Sequence, residues 1–152
     1  MPTPAPLPTA VREVFVPGQI TLDADLLAIR HGLARLFGMQ LLSDLGDEDR
    51  GTAEIVLAEA LNNIVEHACA DLPGQIRVTV TRSDAGIFCV IRDRGRPMPG
   101  GALPAGHLAP MEAGGDLPEG GFGWFLIRRL ARDVTYDRCD GENVLSFFLD
   151  AA

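Results

Sequence analysis

The feature that most constrains the fold is a pair of alternating segments separated by a very short connection. Residues Gln75–Arg82 and Gly86–Arg92 have strand-like sequences, and only Ser83-Asp84-Ala85 lies between them. So short a connection places the two strands side by side and antiparallel. In the first strand, apolar residues at 76, 78 and 80 alternate with polar residues at 77, 79 and 81. This alternation predicts a sheet with one buried face and one wetter face.

Further patterns on both sides of this hairpin predict the remaining elements. Before the hairpin they predict a strand at Val11–Val16 that stops at Pro17-Gly18, a helix at Asp23–Leu42, and a second helix at Asp49–Ala70. Gly32 and Gly38 weaken the first of these helices without ending it. After the hairpin they predict a long loop at Asp93–Gly123, a helix at Phe122–Arg132, and strands at Val134–Cys139 and Asn143–Leu149 that an Asp140-Gly141 turn joins. Helices alternate with strands too rarely for a parallel βαβ fold. The order predicts an α+β two-layer sandwich, in which helices cover one face of a mixed, mostly antiparallel sheet.

Length and charge limit the function. The 152 residues suffice for one domain, which we place at residues 11–152 after a Pro-rich tail at 1–10 that we expect to be disordered. The formal net charge of −8 argues against direct nucleic-acid binding, which depends on cations that contact phosphates. All 13 basic residues are Arg, so both a P-loop and a Schiff-base lysine are excluded.

The cysteines and the apolar runs predict a cytoplasmic protein. Cys69, Cys89 and Cys139 are far apart and form no C-x-x-C pair, which favours buried free thiols in a reducing compartment. No apolar run approaches the roughly 18 residues that a membrane span needs. The first ten residues lack the basic and apolar regions of a signal peptide, so we expect no association with membranes.

The second predicted helix carries a stripe of polar side chains. Glu59, Asn63 and His67 recur at intervals of four, which places them along one helix face. No Arg or Lys occurs from Gly51 to Gln75 to pair with them. A carboxylate can act as a general base, and an amide oxygen is a suitable ligand for Mg²⁺. The stripe therefore indicates a functional site, with an ordinary solvent-exposed face as the alternative.

Two later segments carry related signals. Asp93-Arg94-Gly95-Arg96-Pro97 places a carboxylate where an apolar strand opens into a loop, and Gly95 permits a sharp turn or a close approach to a ligand. Glu119-Gly120-Gly121-Phe122-Gly123-Trp124 leads directly into a helix, whose free N–H groups could hold an anion. Each segment alone could be a simple turn or a connector. The three signals together, in this order, are much less likely to arise by chance than any one of them alone.

These residues resemble the GHKL ATPase superfamily, whose members share the Bergerat ATP-binding fold. Within it, the chain is most similar to the bacterial anti-sigma-factor serine/threonine kinases. The N-box resembles Glu59–Ala68, the G1 box resembles Asp93–Pro97, and the G2 box resembles Gly120–Ile127. The resemblance covers nearly the whole chain after the Pro-rich tail, and the order of the three boxes makes it specific.

The resemblance implies a role for individual residues. Glu59 would be the catalytic base, Asn63 would hold Mg²⁺, and Asp93 would accept a hydrogen bond from the adenine amine. The implied ATP-binding residues are Asn63, Asp93, Gly95, Pro97, Gly121, Phe122 and Gly123. Residues 100–119 would form the ATP lid. His67 matches the N-box pattern, but a role in helix packing or in supporting another site residue is at least as well favoured.

The resemblance also implies the reaction and the partners. The protein would be an ATP- and Mg²⁺-dependent serine/threonine kinase that phosphorylates a small STAS-type anti-anti-sigma protein and sequesters a sigma factor or similar regulator. Homodimers would form through the open sheet face or the first strand. The sequence departs in the lid from family members that place a cation there, because no Arg or Lys occurs between Arg96 and Arg128. This departure favours an alternative, a nucleotide-gated partner-binding module that transfers no phosphate.

A third alternative is the catalytic domain of a sensor histidine kinase. The interval of four between Glu59 and Asn63 and the compact length favour the anti-sigma group instead. We also expect no phospho-accepting dimerisation helix to precede the domain.

Overall fold

The structure is a computed structural model that describes residues 16–70, 72–106 and 122–151. The elements are β1 (Val16–Asp23), α1 (Leu26–Phe37), α2 (Asp47–Asn63) with a π-helical turn (Ile64–Ala68), β2 (Gln75–Ser83), β3 (Gly86–Asp93), a 3-10 turn (Pro99–Gly101), α3 (Phe122–Leu130), β4 (Arg132–Cys139) and β5 (Glu142–Asp150). The Pro-rich tail and most of the predicted lid lie outside these residues. No helix among the described residues is long and apolar enough to cross a bilayer.

The five strands form one sheet in the order β1-β2-β3-β5-β4. Every pairing between these strands is antiparallel, so the sheet is antiparallel throughout rather than mixed. The β2–β3 connection contains only two residues, because Ser83 already pairs with Gly86. At the β4–β5 turn, Asp140 and Gly141 have φ of 53° and 77°, the positive values that a two-residue hairpin turn favours.

One face of the sheet is buried, as the alternation in β2 predicts. The inward positions form continuous rows across the strands: Ile20, Val78, Ile91 and Leu145 in one row, and Val80, Cys89 and Phe147 in the next. Helices α1, α2 and α3 contribute Leu36, Leu57, Leu61 and Ile127 to the same core. The predicted α+β architecture, with helices over one sheet face, is therefore confirmed. The three cysteines are free, but Cys139 is exposed, so the prediction of burial fails there.

The predicted first strand is wrong in its position. Strand β1 runs through Pro17 and Gly18 instead of stopping before them, and it pairs with β2 along its whole length. Because β1 is an edge strand, a proline without an N–H is tolerated there. Gly18 also has a packing role, since a Cβ at that position would lie 2.6 Å from Leu41 Cδ2. Residues 11–15 of the predicted strand lie outside the described residues.

The predicted helix boundaries also need correction. Helix α1 begins after Asp25, whose Oδ1 accepts a hydrogen bond from Ala28 N at 2.8 Å, and Asp23 belongs to β1. Gly38 caps the C-terminus of α1 rather than continuing the helix. Helix α2 ends at Asn63, and the next residues form the π turn that Cys69 N closes by donating to Ile64 O at 2.8 Å. Local capping, which overall periodicity does not reveal, sets these boundaries.

Candidate functional site

A cavity of about 490 Å³ lies between the C-terminal part of α2, the loop that follows β3, and the β4–β5 hairpin. This volume falls within the range of small-molecule sites, roughly 300–1,000 Å³. The side chains that line it include Asn63, His67, Asp93, Arg96, Pro97, Met98, Trp124, Tyr136, Asn143 and Leu145. The cavity therefore joins residues from the predicted N-box and G1 box, although these segments are far apart in the sequence.

Helix α3 brings Gly123 against the polar stripe of α2. A Cβ built on Gly123 would lie 2.8 Å from Glu59 Oε2 and 3.4 Å from Asn63 Nδ2. The absence of a side chain at Gly123 lets α3 approach these groups without displacing the Glu59 carboxylate. Glu59 and Asn63 thus meet the first turn of α3, and we call this part of the site the helix end.

The Asn63 amide is available for a ligand. Its Nδ2 atom is buried and has no hydrogen-bond partner among the described residues. A rotation of the side-chain amide by 180° exchanges its oxygen and nitrogen, so the amide can present its acceptor at this position. No three His, Cys, Asp or Glu side chains in the described ranges cluster into a metal site of their own. A cation here would therefore depend on the amide oxygen together with oxygens from a ligand.

Asp93 lies at the other side of the cavity and is 4% exposed. Its Oδ1 accepts hydrogen bonds from Gly95 N and from Asn143 Nδ2, each at 2.9 Å. Burial raises the pKa of Asp93, while these two hydrogen bonds and the nearby Arg138 lower it. The carboxylate is thus held in one orientation, with both recorded donors on the same oxygen.

The turn after Asp93, residues 95–98, packs directly on the π turn. A Cβ on Gly95 would lie 2.4 Å from Ala68 O, a backbone atom that cannot easily move. Arg96 N donates to the same oxygen at 2.7 Å. Glycine is therefore required at 95 for close backbone packing. We call Asp93 and the 95–98 turn the turn end of the cavity.

The β4–β5 hairpin completes the turn end with three polar side chains. Asn143 Nδ2 donates to Arg96 O at 2.8 Å, and Arg138 Nη1 donates to Gly95 O at 2.8 Å. Tyr136 OH accepts from Met98 N at 2.9 Å and donates to Asn143 Oδ1 at 2.6 Å. These contacts connect three backbone polar groups of the turn to the hairpin, namely Gly95 O, Arg96 O and Met98 N.

The sequence-predicted site residues divide into three groups. Asn63, Asp93 and Pro97 line the cavity, while Glu59, Gly95 and Gly123 lie directly against its lining residues. Phe122 begins α3. Gly121 lies outside the described residues, so its predicted role stays a prediction.

Two other expectations change with the structure. His67 lines the cavity and is exposed, which favours a role at the site over one in helix packing. The π turn interrupts the α-helical spacing between Asn63 and His67 that the predicted stripe assumed. Arg128 is exposed, but it also donates to Pro104 O at 3.2 Å, so it contacts the loop that follows β3.

The sequence analysis missed Asn143, Tyr136 and Arg138. A signal was present for Asn143, because inward positions of β5 are otherwise apolar at Leu145, Phe147 and Leu149. A polar residue in such a series must find a buried partner. Its partners are about fifty positions earlier in the chain, which no local pattern reveals.

Comparison with known families agrees with this geometry. The model of the histidine kinase-like ATPase domain family matches residues 21–149, which include both ends of the cavity. The chain belongs to this family. The resemblance to GHKL ATPases is thereby confirmed, and a histidine kinase-like ATPase domain is an ATP-binding domain. No curated protein sequence matches the chain significantly.

Solved structures extend the comparison to the fold of this ATPase domain. The chain is similar to a crystal structure of the RsbU and RsbW domains of Rv1364c from Mycobacterium tuberculosis, with a TM-score of 0.61 and 19% sequence identity. The match covers 90% of the present chain and 32% of the other chain. At this identity the similarity establishes the fold alone.

Proposed function

We propose that this ATPase domain is an ATP- and Mg²⁺-dependent serine/threonine protein kinase of the anti-sigma-factor type. The observation that carries the proposal is the meeting of Glu59, the unpartnered Asn63 amide and the start of α3 at one end of the cavity. The buried Asp93 carboxylate lies at the other end. A base-binding group and a group for phosphate chemistry thus share one cavity of suitable size.

Asp93 would bind the base. Its Oδ1 already accepts two hydrogen bonds, so Oδ2 is the oxygen that would accept from the adenine amine. Gly95 allows the turn to pack closely, and Pro97 lines the cavity beside it. A carboxylate accepts hydrogen bonds only, which favours a base that presents a donor.

Asn63 would hold Mg²⁺ together with the nucleotide phosphates. The fit rests on its buried Nδ2 atom, which has no hydrogen-bond partner within the described part of the chain. Amide and phosphate oxygens are the hard ligands that this cation prefers, and bound Mg²⁺ neutralises charge on the phosphates. The chain carries a net charge of −8, and Arg96 is a cation of its own that lines the cavity.

Glu59 would act as the general base. In the transfer, the substrate hydroxyl oxygen bonds to the γ-phosphorus while the bond from that phosphorus to the bridging oxygen breaks, and ADP leaves. The hydroxyl proton must then move to an acceptor, which is the Glu59 carboxylate. Backbone N–H groups at Gly121, Phe122 and Gly123 would contact the phosphates at the helix start.

The substrate we propose is a small STAS-type anti-anti-sigma protein, and the second partner is a sigma factor or comparable regulator. The fold similarity to a structure that contains an RsbW domain supports this choice. Binding of the two partners would be mutually exclusive, with phosphorylation releasing the STAS protein.

The experiment incubates the purified chain with Mg-ATP and the STAS-domain protein encoded beside it, and measures phosphoserine or phosphothreonine by mass spectrometry. Glu59→Ala should abolish phosphorylation while ATP binding persists. Glu54→Ala is the matched control, because Glu54 lies on the same helix, is exposed and pairs with the exposed Arg50 one turn earlier. Absence of a phosphorylated product from the parent chain would contradict the kinase proposal.

A nucleotide-gated binding module is the second candidate. It is favoured by the absence of Arg and Lys between Arg96 and Arg128, a segment in which a kinase could place a cation beside the transferring phosphoryl group. Calorimetry separates the candidates: ATP or ADP binding that is lost in Asp93→Asn, without any turnover in the parent, supports the module. A parent chain that binds neither nucleotide contradicts both.

A further inference from the structure

Tyr136, Arg138 and Asn143 form a polar cluster that the ATPase motifs do not contain. All three belong to the β4–β5 hairpin, and all three contact the turn end of the cavity. Asn143 is 4% exposed, in a strand whose other inward residues are apolar. Burying a polar amide among apolar side chains is unfavourable unless its hydrogen bonds are made.

The Asn143 amide uses its full hydrogen-bonding capacity. Nδ2 donates to Asp93 Oδ1 at 2.9 Å and to Arg96 O at 2.8 Å. Oδ1 accepts from Tyr136 OH at 2.6 Å and from Arg138 Nη1 at 2.9 Å. A side-chain amide has two donor hydrogens and two acceptor lone pairs, so none remains for a ligand. The reversed orientation would place the amide oxygen against two other oxygens, so the network fixes which atom faces Asp93.

The same cluster fixes the orientation of the Asp93 carboxylate. Asn143 and Gly95 N both donate to Oδ1, which leaves Oδ2 as the oxygen for a ligand of the cavity that Asp93 lines. Arg138 and Tyr136 hold the backbone of Gly95 and Met98, so the turn that surrounds the carboxylate is held from the hairpin side. Ala68 O holds Arg96 N from the opposite side.

We propose that Asn143, supported by Tyr136 and Arg138, is a positioning residue that sets base selectivity at this site. The inference rests on the proposed nucleotide binding. Adenine presents an amine donor at its 6-position, whereas hypoxanthine and guanine present a carbonyl acceptor. A carboxylate oxygen that is fixed toward the base accepts from the amine and repels the carbonyl. A carboxyl group that can rotate or take up a proton discriminates less.

The charges around Asp93 agree with this role. Burial raises the pKa of Asp93, and the hydrogen bond from Asn143 is the largest of the opposing effects. Arg138 lowers the pKa further, while Glu142 raises it. Loss of the Asn143 amide would therefore favour the protonated carboxyl, which can donate a hydrogen bond to a base carbonyl.

The test measures dissociation constants for Mg-ATP and Mg-ITP by calorimetry, because ITP differs from ATP in the group at the 6-position. The parent should prefer ATP by roughly thirtyfold, as expected when a buried polar pairing is made or lost. Asn143→Ala should reduce this preference to about threefold or less, mainly through weaker ATP binding. Tyr136→Phe removes one hydroxyl only and should reduce the preference by a smaller factor.

The matched control is Ser146→Ala. Ser146 is on the same strand, but its hydroxyl pairs with Thr135 on the open face of the sheet. This variant should keep the parent's preference for ATP. A purely structural role of Asn143 would weaken ATP and ITP equally and leave their ratio unchanged.

The outcomes separate the inference from the proposed function. A parent that binds ATP, with an unchanged ATP/ITP ratio in Asn143→Ala, overturns the inference and leaves the proposed function standing. A parent that binds both nucleotides equally also overturns the inference. If Asn143→Ala fails to fold, the ATP/ITP affinity ratio of Tyr136→Phe takes its place: an unchanged ratio overturns the inference, and a reduced ratio supports it. A parent that binds neither nucleotide overturns the proposed function, and the inference with it.

Discussion

The two ends of the cavity differ in how completely the protein satisfies its own polar groups. At the turn end, Asp93 accepts two hydrogen bonds, and the backbone of the 95–98 turn bonds to the hairpin and to Ala68. At the helix end, the buried Asn63 Nδ2 has no partner among the described residues. The turn end is therefore built before a ligand arrives, whereas the helix end needs a ligand to complete its bonding.

This difference indicates that the two ends of the site have different functions. A pre-ordered recognition surface loses little conformational entropy on binding, so base contacts there can contribute strongly to affinity. Groups left unpaired at the helix end form their best interactions only with phosphate and a cation, where charge develops during transfer. Substitutions at the turn end should then affect affinity, and those at the helix end should affect turnover.

The largest expected effect is at Asn63. In Asn63→Ala, phosphoryl transfer should fall by about a thousandfold, the scale seen when a group that stabilises developing charge is removed. The free energy of unfolding should not fall by more than about 1 kcal/mol, because the Nδ2 atom makes no protein hydrogen bond to lose. Transfer assays and urea titrations measure the two quantities.

The matched control for Asn63 is Asn62→Ala, a neighbouring residue on the same helix that does not line the cavity. It should transfer phosphate at the parent rate. If Asn63→Ala keeps both the parent rate and the parent's dependence of ATP affinity on Mg²⁺, the cation does not bind at the helix end.

The next effect is at Gly95 of the turn end. In Gly95→Ala, the new Cβ would meet Ala68 O at 2.4 Å, so the turn must move away from the π turn. ATP affinity should fall by about a hundredfold, and the protein should lose about 2 kcal/mol of stability, which is typical of overpacking. Calorimetry and thermal unfolding provide the measurements.

Gly51→Ala is the control for this substitution, because a Cβ there meets nothing within 4 Å and the residue lies inside α2. That variant should gain up to about 1 kcal/mol of stability, since alanine is the better helix former. Unchanged ATP affinity in Gly95→Ala would show that the position of the 95–98 turn does not determine how ATP binds.

A smaller effect is expected at Gly123, the corresponding glycine of the helix end. Here an added Cβ would lie 2.8 Å from Glu59 Oε2, the end of a flexible side chain that can rotate away. Gly123→Ala should therefore fold normally and bind ATP within about threefold of the parent, while transfer falls by about tenfold because Glu59 is displaced. Single-turnover assays beside ATP titrations distinguish the two. If Gly123→Ala lowered ATP affinity and left transfer unchanged, the helix end would act in binding like the turn end, and the proposed difference between the two ends would be wrong.

The turn end was also harder to predict from the sequence than the rest of the fold. Alternation in β2 and the short β2–β3 connection carry enough information for the antiparallel sheet, because both are local. The N-box and G1 positions were recognisable as motifs, and Asn63 and Asp93 do line one cavity. The cluster of Tyr136, Arg138 and Asn143 depends on tertiary contacts across the sheet, which no local pattern contains.

Backbone detail was the other part that sequence patterns could not supply. The π turn at Ile64–Ala68 has the same apolar spacing as ordinary helix, so periodicity extended the predicted helix through it. The turn ends with the hydrogen bond from Cys69 N to Ile64 O, five residues earlier. The π turn nevertheless places Ala68 O where it accepts a hydrogen bond from Arg96 N and packs against the backbone of Gly95. A small local irregularity thus joins the N-box helix to the turn end.

The smallest expected effect is the pH dependence of stability and of ATP affinity that Asp93 causes at the turn end. Burial raises the pKa of Asp93 above its unfolded value of 3.8, so the folded state holds the proton more tightly. This contribution to stability is fully present below the unfolded pKa and is lost as the pH rises through the folded pKa. ATP binding needs the ionised carboxylate as an acceptor, so it should strengthen over the same interval. Urea titrations of the parent and of Asp93→Asn should show the parent losing stability relative to the variant as pH rises, while calorimetry shows parent ATP affinity increasing. Parallel pH trends for stability and affinity would mean that Asp93 does not bind the base as an ionised acceptor.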